Sequence, residues 1–560
     1  MRGCKLFIIL LIVGFSSCVQ HSSTVERPKL VIGLVIDQMR WDYLYRYYDK
    51  YGNDGFKRLM RDGYNCQNTS LNYLPSFTGP GHTCIYTGSV PSIHGIAGNN
   101  WIDNQTGRQW YCVDDDKVSQ VGDSSKKASF SPRNLVTTTI TDELRLATNF
   151  RSRVYGIAIK DRGAILPAGH TANAAYWYSD KTGNFVTSTY YSAAFQNPDW
   201  LKAFNKRGLA DSLVKLNWNL LNDIATYTNS TNDTTGYEDP FKGENDPVFP
   251  HKFNQQAKAD RLGALKTMPA GNTFTFEMAK ACIAGEKLGG NKDPDFLCVS
   301  LSSTDYAGHQ FAPNAVEMED MYMRLDKEIA DFLNYLDKTE GRGNYLLFLT
   351  ADHGGAHNPK FLADNKIPGG ISFNVTADLN NYLKGEFKKD LPLVRGILNY
   401  QVFLNEAAID SDKSLKRDEI KASIRNWLMN TMPRNYNVPV SYVIDMEDMS
   451  KTALPEPIRE MAINGYNHAR SGCLQIILNP GWFEADKFTG TTHGSWNPYD
   501  THIPLLWYGW HIPKGETAKP LNMTDITATL AAMLHIQAPS GSIGKPILEI
   551  TDRGCGCRKE

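Results

Sequence analysis

Four continuous apolar runs punctuate the chain, and each ends in polar residues. Leu30 to Ile36 (LVIGLVI) ends at Asp37, and Val154 to Ile159 (VYGIAI) ends at Lys160. Phe296 to Leu301 (FLCVSL) stops just before Asp305, and Tyr345 to Leu349 (YLLFL) runs into Thr350, Ala351 and Asp352. A strand with one wet face alternates apolar and polar residues, whereas an unbroken run reads as a parallel strand buried on both faces. Helix-like stretches, such as Asn314 to Leu336, fall between the runs. Strands alternating with helices predict an open α/β sheet, whose sites form beyond the carboxyl ends of the strands. The polar clusters of this chain sit at those ends.

Two regions break the rhythm. From about 172 to 266 the chain is rich in Trp, Tyr, Asn and Thr, and it reads as an excursion or cap above the sheet. Its Trp177, Tyr190 and Trp200 are expected to pack into a core before they stack on a ligand. From about 361 to 487, strand-like ISFNV and LQIIL and a helix near Lys416 to Met429 predict an inserted subdomain. The sheet resumes near Ile503 to Tyr508 (IPLLWY), and no internal repeat or low-complexity segment occurs.

The length of 560 residues allows a large core with inserted segments. A hydrophobic share of 41%, a charged share of 21% and a net charge of −1 give no global attraction for nucleic acid or an anionic membrane. Any affinity for phosphate must be local. Residues 1–18 read as an export signal: Arg2 and Lys5 lead, Leu6 to Phe15 is apolar, and Ser16, Ser17 and Cys18 offer a cleavage point. The apolar run is too short to span a bilayer. Cys18 after small residues also resembles a lipoprotein box, with Phe15 where leucine is usual, so a lipid anchor stands beside simple cleavage. Of ten cysteines, eight follow the leader, an even number that makes disulfides plausible in an exported chain. Cys555 and Cys557 form a C-x-C pair that offers weak support for a metal clip.

The strand ends carry Asp37, Asp305, His309, Asp352 and His353, and His493 follows in a turn-like THGS. Three carboxylates and three imidazoles, with no thiolate, suit zinc in a catalytic role. Asp305 and His309 are one helical turn apart, and adjacent Asp352 and His353 can point to different metals. Singly, each reads as a cap, turn or surface residue. Together they read as a metal centre.

Thr78, in PSFTGPGH, precedes a helix-like stretch. A hydroxyl there faces unpaired backbone N–H groups that favour phosphate. Alone it reads as a helix cap; beside metal ligands it reads as a nucleophile, with Ser76 the rival hydroxyl. Lys160 and Arg162, at the end of VYGIAI, offer a point charge and a planar fork for phosphate oxygens. Asn99, in HGIAGNNW, can donate an amide hydrogen bond to another.

VIDQMRWDYL, SFTGPGH, HGIAGNNW, KDRGAILPAGHTANAAYW, SSTDYAGH, TADHGG and THGS together resemble the alkaline phosphatase superfamily. The match is closest to the PafA-type, threonine-nucleophile periplasmic phosphatases of Bacteroidetes and runs from about Leu30 to Leu548. The resemblance implies a mixed, mostly parallel central sheet flanked by helices, with inserted cap or crown subdomains, in a catalytic domain over 30–560. It implies two zinc ions per chain, the first on Asp305, His309 and His493, the second on Asp37, Asp352, His353 and the Thr78 oxygen. It assigns phosphate contacts to Asn99, Lys160 and Arg162. Members that use serine add a magnesium site; no third ligand set is evident here, and Lys160 supplies charge in that neighbourhood. The implied reaction is a double displacement on small phosphate monoesters through a phosphothreonine, by a periplasmic protein expected to be a monomer. A phosphodiesterase of the same superfamily would share the six ligands but lack the Lys160 and Arg162 pair. A sulfatase needs a modifiable residue in C/S-x-P-x-R, which SFTGPGH does not supply. A zinc-containing binding protein without turnover would have no use for the nucleophile and clamps.

Overall fold

Each of the four apolar runs is a strand, and the four are consecutive neighbours at the centre of one sheet. The computed structural model describes residues 25–124, 129–254 and 256–552, apart from the Lys451 side chain. The leader, Cys18, Cys555 and Cys557 lie outside the described residues. The ten strands of the sheet are β1 (Leu30–Ile36), β2 (Tyr64–Cys66), β3 (Gln120–Val121), β4 (Val154–Ala158), β5 (Ala174–Ser179), β6 (Asn184–Ser188), β7 (Asp295–Leu301), β8 (Tyr345–Thr350), β9 (Leu505–Gly509) and β10 (Gly515–Thr517). Their spatial order is β10-β2-β9-β8-β1-β7-β4-β5-β6-β3. The central run from β8 to β5 is parallel, and β9 and β6 join antiparallel on either side. Every residue of β1, β4, β7 and β8 is buried, as unbroken apolar runs require.

Six helices matter most for the site and its support: α1 (Thr78–Thr87), α2 (Asp161–Ala168), α3 (Pro269–Glu286), α4 (Ser303–Phe311), α5 (Val316–Leu336) and α6 (Asp525–Leu534). The expected helix from Asn314 to Leu336 is α5, which starts two residues later. All ten residues of α1 are buried, so this helix is interior to the molecule. It ends where Gly88 takes a left-handed φ of 62°, which glycine adopts at no steric cost.

The segment from 172, expected to leave the sheet, first adds β5 and β6 to it. Its aromatic character hid two strands: Tyr176 and Trp177 are core residues of β5, and Trp200 packs against the same core. The described residues of the following stretch to 257 form short helices and turns outside any sheet. In the region 361–487, Val394–Leu398, Gln401–Leu404, Leu474–Leu478 and Val440–Asp445 form a separate antiparallel sheet in that spatial order. It closes over its own apolar cluster, which includes Leu379, Ile420, Ile424 and Leu428. Disulfides do not form among the described residues. Cys66, Cys84, Cys112, Cys282, Cys298 and Cys473 are buried free thiols that pack as small apolar groups, and burial pushes the Cys84 and Cys298 thiols well above their ordinary pKa.

Candidate metal and phosphate site

The parallel strands deliver their polar ends to one place. Asp37 follows β1, Lys160 lies two residues beyond β4, α4 after β7 carries Asp305 and His309, and Asp352 and His353 lie just past β8. His493 arrives from the chain between the second sheet and β9, ahead of Gly494, whose φ of 117° admits little but glycine. Two clusters result: Asp305, His309 and His493, and Asp37, Asp352 and His353, with ligand atoms in each within 4.8 Å of one another.

All three histidines are oriented alike. Nδ1 of His309 donates to Thr491 O at 2.8 Å, Nδ1 of His353 to Gly354 O at 2.9 Å, and Nδ1 of His493 to Ser76 O at 2.7 Å. A carbonyl can only accept, so each bond fixes the proton on Nδ1 and turns the Nε2 lone pair inward. His353 and His493 stack with ring centroids 3.5 Å apart. Burial together with the neighbouring His353 and His309 holds the His493 pKa well below the ordinary imidazole value, so its lone pair stays available.

The carboxylates fit the same purpose. Asp37 Oδ1 is buried and accepts no hydrogen bond, and buried Asp352 Oδ2 has His82 Nδ1 3.2 Å away. Burial, and then the charges of Asp305 and Asp352, push the Asp37 carboxyl well above its usual range. Burial also opposes charge on Asp305, but Lys160 and His309 outweigh it and hold that carboxyl well below its usual range. Buried carboxylates facing inward imidazole nitrogens make a nitrogen and oxygen donor set that could hold a divalent metal ion.

Thr78 is the first residue of α1, not its cap. The cap position is held by Phe77 in an extended conformation without a side-chain bond. The Thr78 hydroxyl is thus free to face the site: Lys160 Nζ, Arg162 Nη2 and His353 Nε2 each lie 3.4 Å from Oγ1. The rival Ser76 hydroxyl donates to Ser495 O at 2.8 Å and is occupied in local structure. Lys160 Nζ pairs with Asp37 Oδ2 at 2.7 Å and also with Asp305, so it bridges the two clusters. Asn99 Oδ1 accepts from Gly79 N at 2.7 Å, which leaves its amide hydrogens to donate elsewhere. Close approach requires Gly81: a Cβ there would lie 2.5 Å from Asp352 O.

Four supporting residues escaped the sequence reading. Gln38 donates through Nε2 to Asp305 Oδ1 at 3.0 Å and through its backbone to Asp352 Oδ1 at 3.1 Å. His82, one turn along α1, bonds Thr78 O at 3.0 Å and Ser300 Oγ at 2.8 Å, and lies 3.2 Å from Asp352 Oδ2. Tyr111 and Asp161 contact Arg162. Gln38 and Asp161 neighbour singled-out residues in sequence, which was their one available signal.

Residues 31–500 match the family described as type I phosphodiesterase / nucleotide pyrophosphatase. The chain belongs to that family. Within it, the likeness is to alkaline phosphatases. Alkaline phosphatase PhoV of Synechococcus elongatus is 52% identical over 532 residues, 94% of each chain. Alkaline phosphatase PafA of Elizabethkingia meningoseptica is 45% identical over 551 residues, 98% of this chain and 99% of its own. A Myroides odoratus protein named calcium-transporting ATPase is 50% identical over 545 residues, 96% of this chain and 97% of its own. A crystal structure of wild-type PafA superposes with a TM-score of 0.89 at 46% identity and covers 94% of this chain and all of that one. The fold expected from the sequence, a mostly parallel central sheet flanked by helices, is thereby established together with its family.

Proposed function

We propose that this chain is a zinc-dependent phosphate monoester hydrolase that works through a phosphothreonine at Thr78. Alkaline phosphatase relatives along nearly the whole chain support monoester hydrolysis. The observation that carries the finer reading is the position of Thr78 Oγ1, with Lys160, Arg162 and His353 nitrogens all 3.4 Å away. Asp305, His309 and His493 would hold one zinc, and Asp37, Asp352 and His353 the other. Zinc supplies Lewis-acid charge stabilisation and lowers the pKa of a hydroxyl brought to it.

The chain's own residues bind and orient. Thr78 Oγ forms a bond to phosphorus as the bond to the alcohol oxygen breaks, and the alcohol leaves with a proton. Water then attacks the phosphothreonine, frees the Thr78 hydroxyl and releases inorganic phosphate. Lys160, Arg162 and the Asn99 amide meet the non-bridging oxygens, where charge in the transition state is spread. His82 holds the Thr78 carbonyl and so fixes the first turn of α1, in which Gly79 N is taken by Asn99 Oδ1 and Gly81 N by Phe77 O.

A monoester dianion has three non-bridging oxygens for these donors. A diester replaces one with a bulky group and strands a cation. Hydrolysis of an aryl phosphate monoester should therefore far exceed that of a matched diester, vanish on chelation and return with zinc. Faster diester cleavage, or turnover that survives complete chelation, would sink the reading. We place the mature protein in the periplasm, on the export signal read in the sequence, and take it to act as a monomer. A lipid anchor at Cys18 would be settled by the mass of its mature N-terminus. Among the described residues no helix is long and apolar enough to cross a membrane.

A further inference from the structure

One hairpin carries two groups that converge on the phosphate clamps. Asn100–Ile102 pairs antiparallel with Gln109–Tyr111, and Asn100 faces Tyr111. Just beyond, Cys112 N donates to Asn99 O at 2.9 Å, which locks the base of the hairpin. Asn99 thus leaves one strand where Tyr111 ends the other. The hairpin is held from outside by the second sheet's region. Asn399 Nδ2 donates to Asn100 O at 2.7 Å, and the Arg470 guanidinium lies 5.0 Å from the buried Trp101 ring.

The Tyr111 hydroxyl stands between a cation and an anion. It accepts from Arg162 Nη1 at 3.1 Å and donates to Asp161 Oδ1, which also takes the Arg162 backbone N–H at 2.6 Å. A carboxylate set directly against the guanidinium would occupy its fork and compete with substrate oxygens. Routed through a phenol, the carboxylate polarises the anchor while a neutral group makes the contact. The second terminal nitrogen, Nη2, stays directed at Thr78 Oγ1. Burial holds the Tyr111 phenol well above its ordinary pKa, so it remains a donor to Asp161 in alkaline solution.

We infer that Tyr111 is a positioning residue that aims Arg162 at a phosphoryl oxygen, so that a single hairpin sets both Asn99 and Arg162. The inference rests on the proposed roles of those two residues. Tyr111→Phe keeps the ring and its 5.6 Å contact with Phe130, and removes only the hydroxyl. The test is a double-mutant cycle with Arg162→Ala, read on an aryl phosphate monoester and on inhibition by inorganic phosphate. Tyr111→Phe should lower kcat/KM about tenfold and weaken phosphate inhibition by a similar factor, with zinc content unchanged. In the Arg162→Ala background the same change should cost less than about twofold. An equal loss in both backgrounds, or no loss in the parent, overturns the inference. Wild-type activity in Arg162→Ala alone would remove the clamp reading itself, and this inference with it.

Discussion

Gln38 donates its side-chain amide to Asp305 Oδ1 at 3.0 Å, although Asp305 belongs to one ligand cluster and Gln38 directly follows an aspartate of the other. Its backbone N–H holds Asp352 in that second cluster, at 3.1 Å. One buried residue, with a left-handed φ of 62°, therefore couples the two.

Residues that orient metal ligands typically change metal affinity by about ten- to a hundredfold when lost. Gln38→Leu keeps the backbone bond and deletes the amide. It should lower the affinity of the Asp305 cluster for zinc by about that factor, measured by metal content after dialysis against a graded chelator. Zinc retention equal to the parent's would show that the amide does not orient Asp305.

Thr78 and Ser76 make separable predictions. On the proposed mechanism, Thr78→Ala should remove most turnover and leave bound metal largely intact, because the six proposed ligands remain. Ser76→Ala loses a hydrogen bond to Ser495 O and should cost about 1 kcal/mol of stability with near-normal kcat. Phosphate trapped at low pH and located by mass spectrometry should sit on Thr78. A phosphoserine at 76, or turnover in Thr78→Ala, would refute the assignment.

The central strands were legible because burial on both faces leaves no room for polar residues, and most of the candidate ligands stood out because they lie at or just beyond the ends of those strands. The outer strands β5 and β6 were not: they lie in a stretch whose Trp, Tyr, Asn and Thr content masks a strand pattern, and their pairing is decided by neighbours. Thr78 was ambiguous because a threonine ahead of a helix looks the same whether it caps or faces a ligand; only the extended Phe77 resolves it. Gln38 and Tyr111 act across 267 and 50 residues of chain, which no local pattern reports.

Gly81 and Gly385 both lie in helices, yet alanine should act on them in opposite senses. A Cβ on Gly81 would sit 2.5 Å from Asp352 O and 2.8 Å from Asp352 Cβ, so α1 must shift away from the ligand loop. Gly385, in the helix Thr376–Phe387, has nothing within 4 Å of its Cβ position. There alanine should stabilise by about 0.5–1 kcal/mol through helix preference. Gly81→Ala should lower Tm and cut activity at least about tenfold, since a small misplacement of the proposed nucleophile would be expensive. Unfolding scans and kcat/KM of the two variants decide it, and a Gly81→Ala enzyme of parental activity would mean that the contact relaxes freely.

His251 gives the chain an alkaline weakness away from the proposed chemistry. Its Nδ1 lies 3.1 Å from Glu244 Oε2 and its Nε2 3.3 Å from Glu317 Oε1. Burial opposes the imidazolium, but the bonds to both glutamates outweigh it and push its pKa up to about 9. A raised folded-state pKa means stability that is fully present below the unfolded value of about 6.5 and lost as pH climbs through about 9. The shift corresponds to at most about 3–4 kcal/mol. Nearby Glu238, pushed up to about 10 chiefly by burial and then by Glu317, works in the same direction and remains in a His251 variant. His251→Gln should be less stable than the parent near pH 6, and the gap should close as pH approaches about 10, measured by denaturant unfolding at fixed ionic strength. Parallel stability curves across that range would show that His251 is not charged in the folded protein.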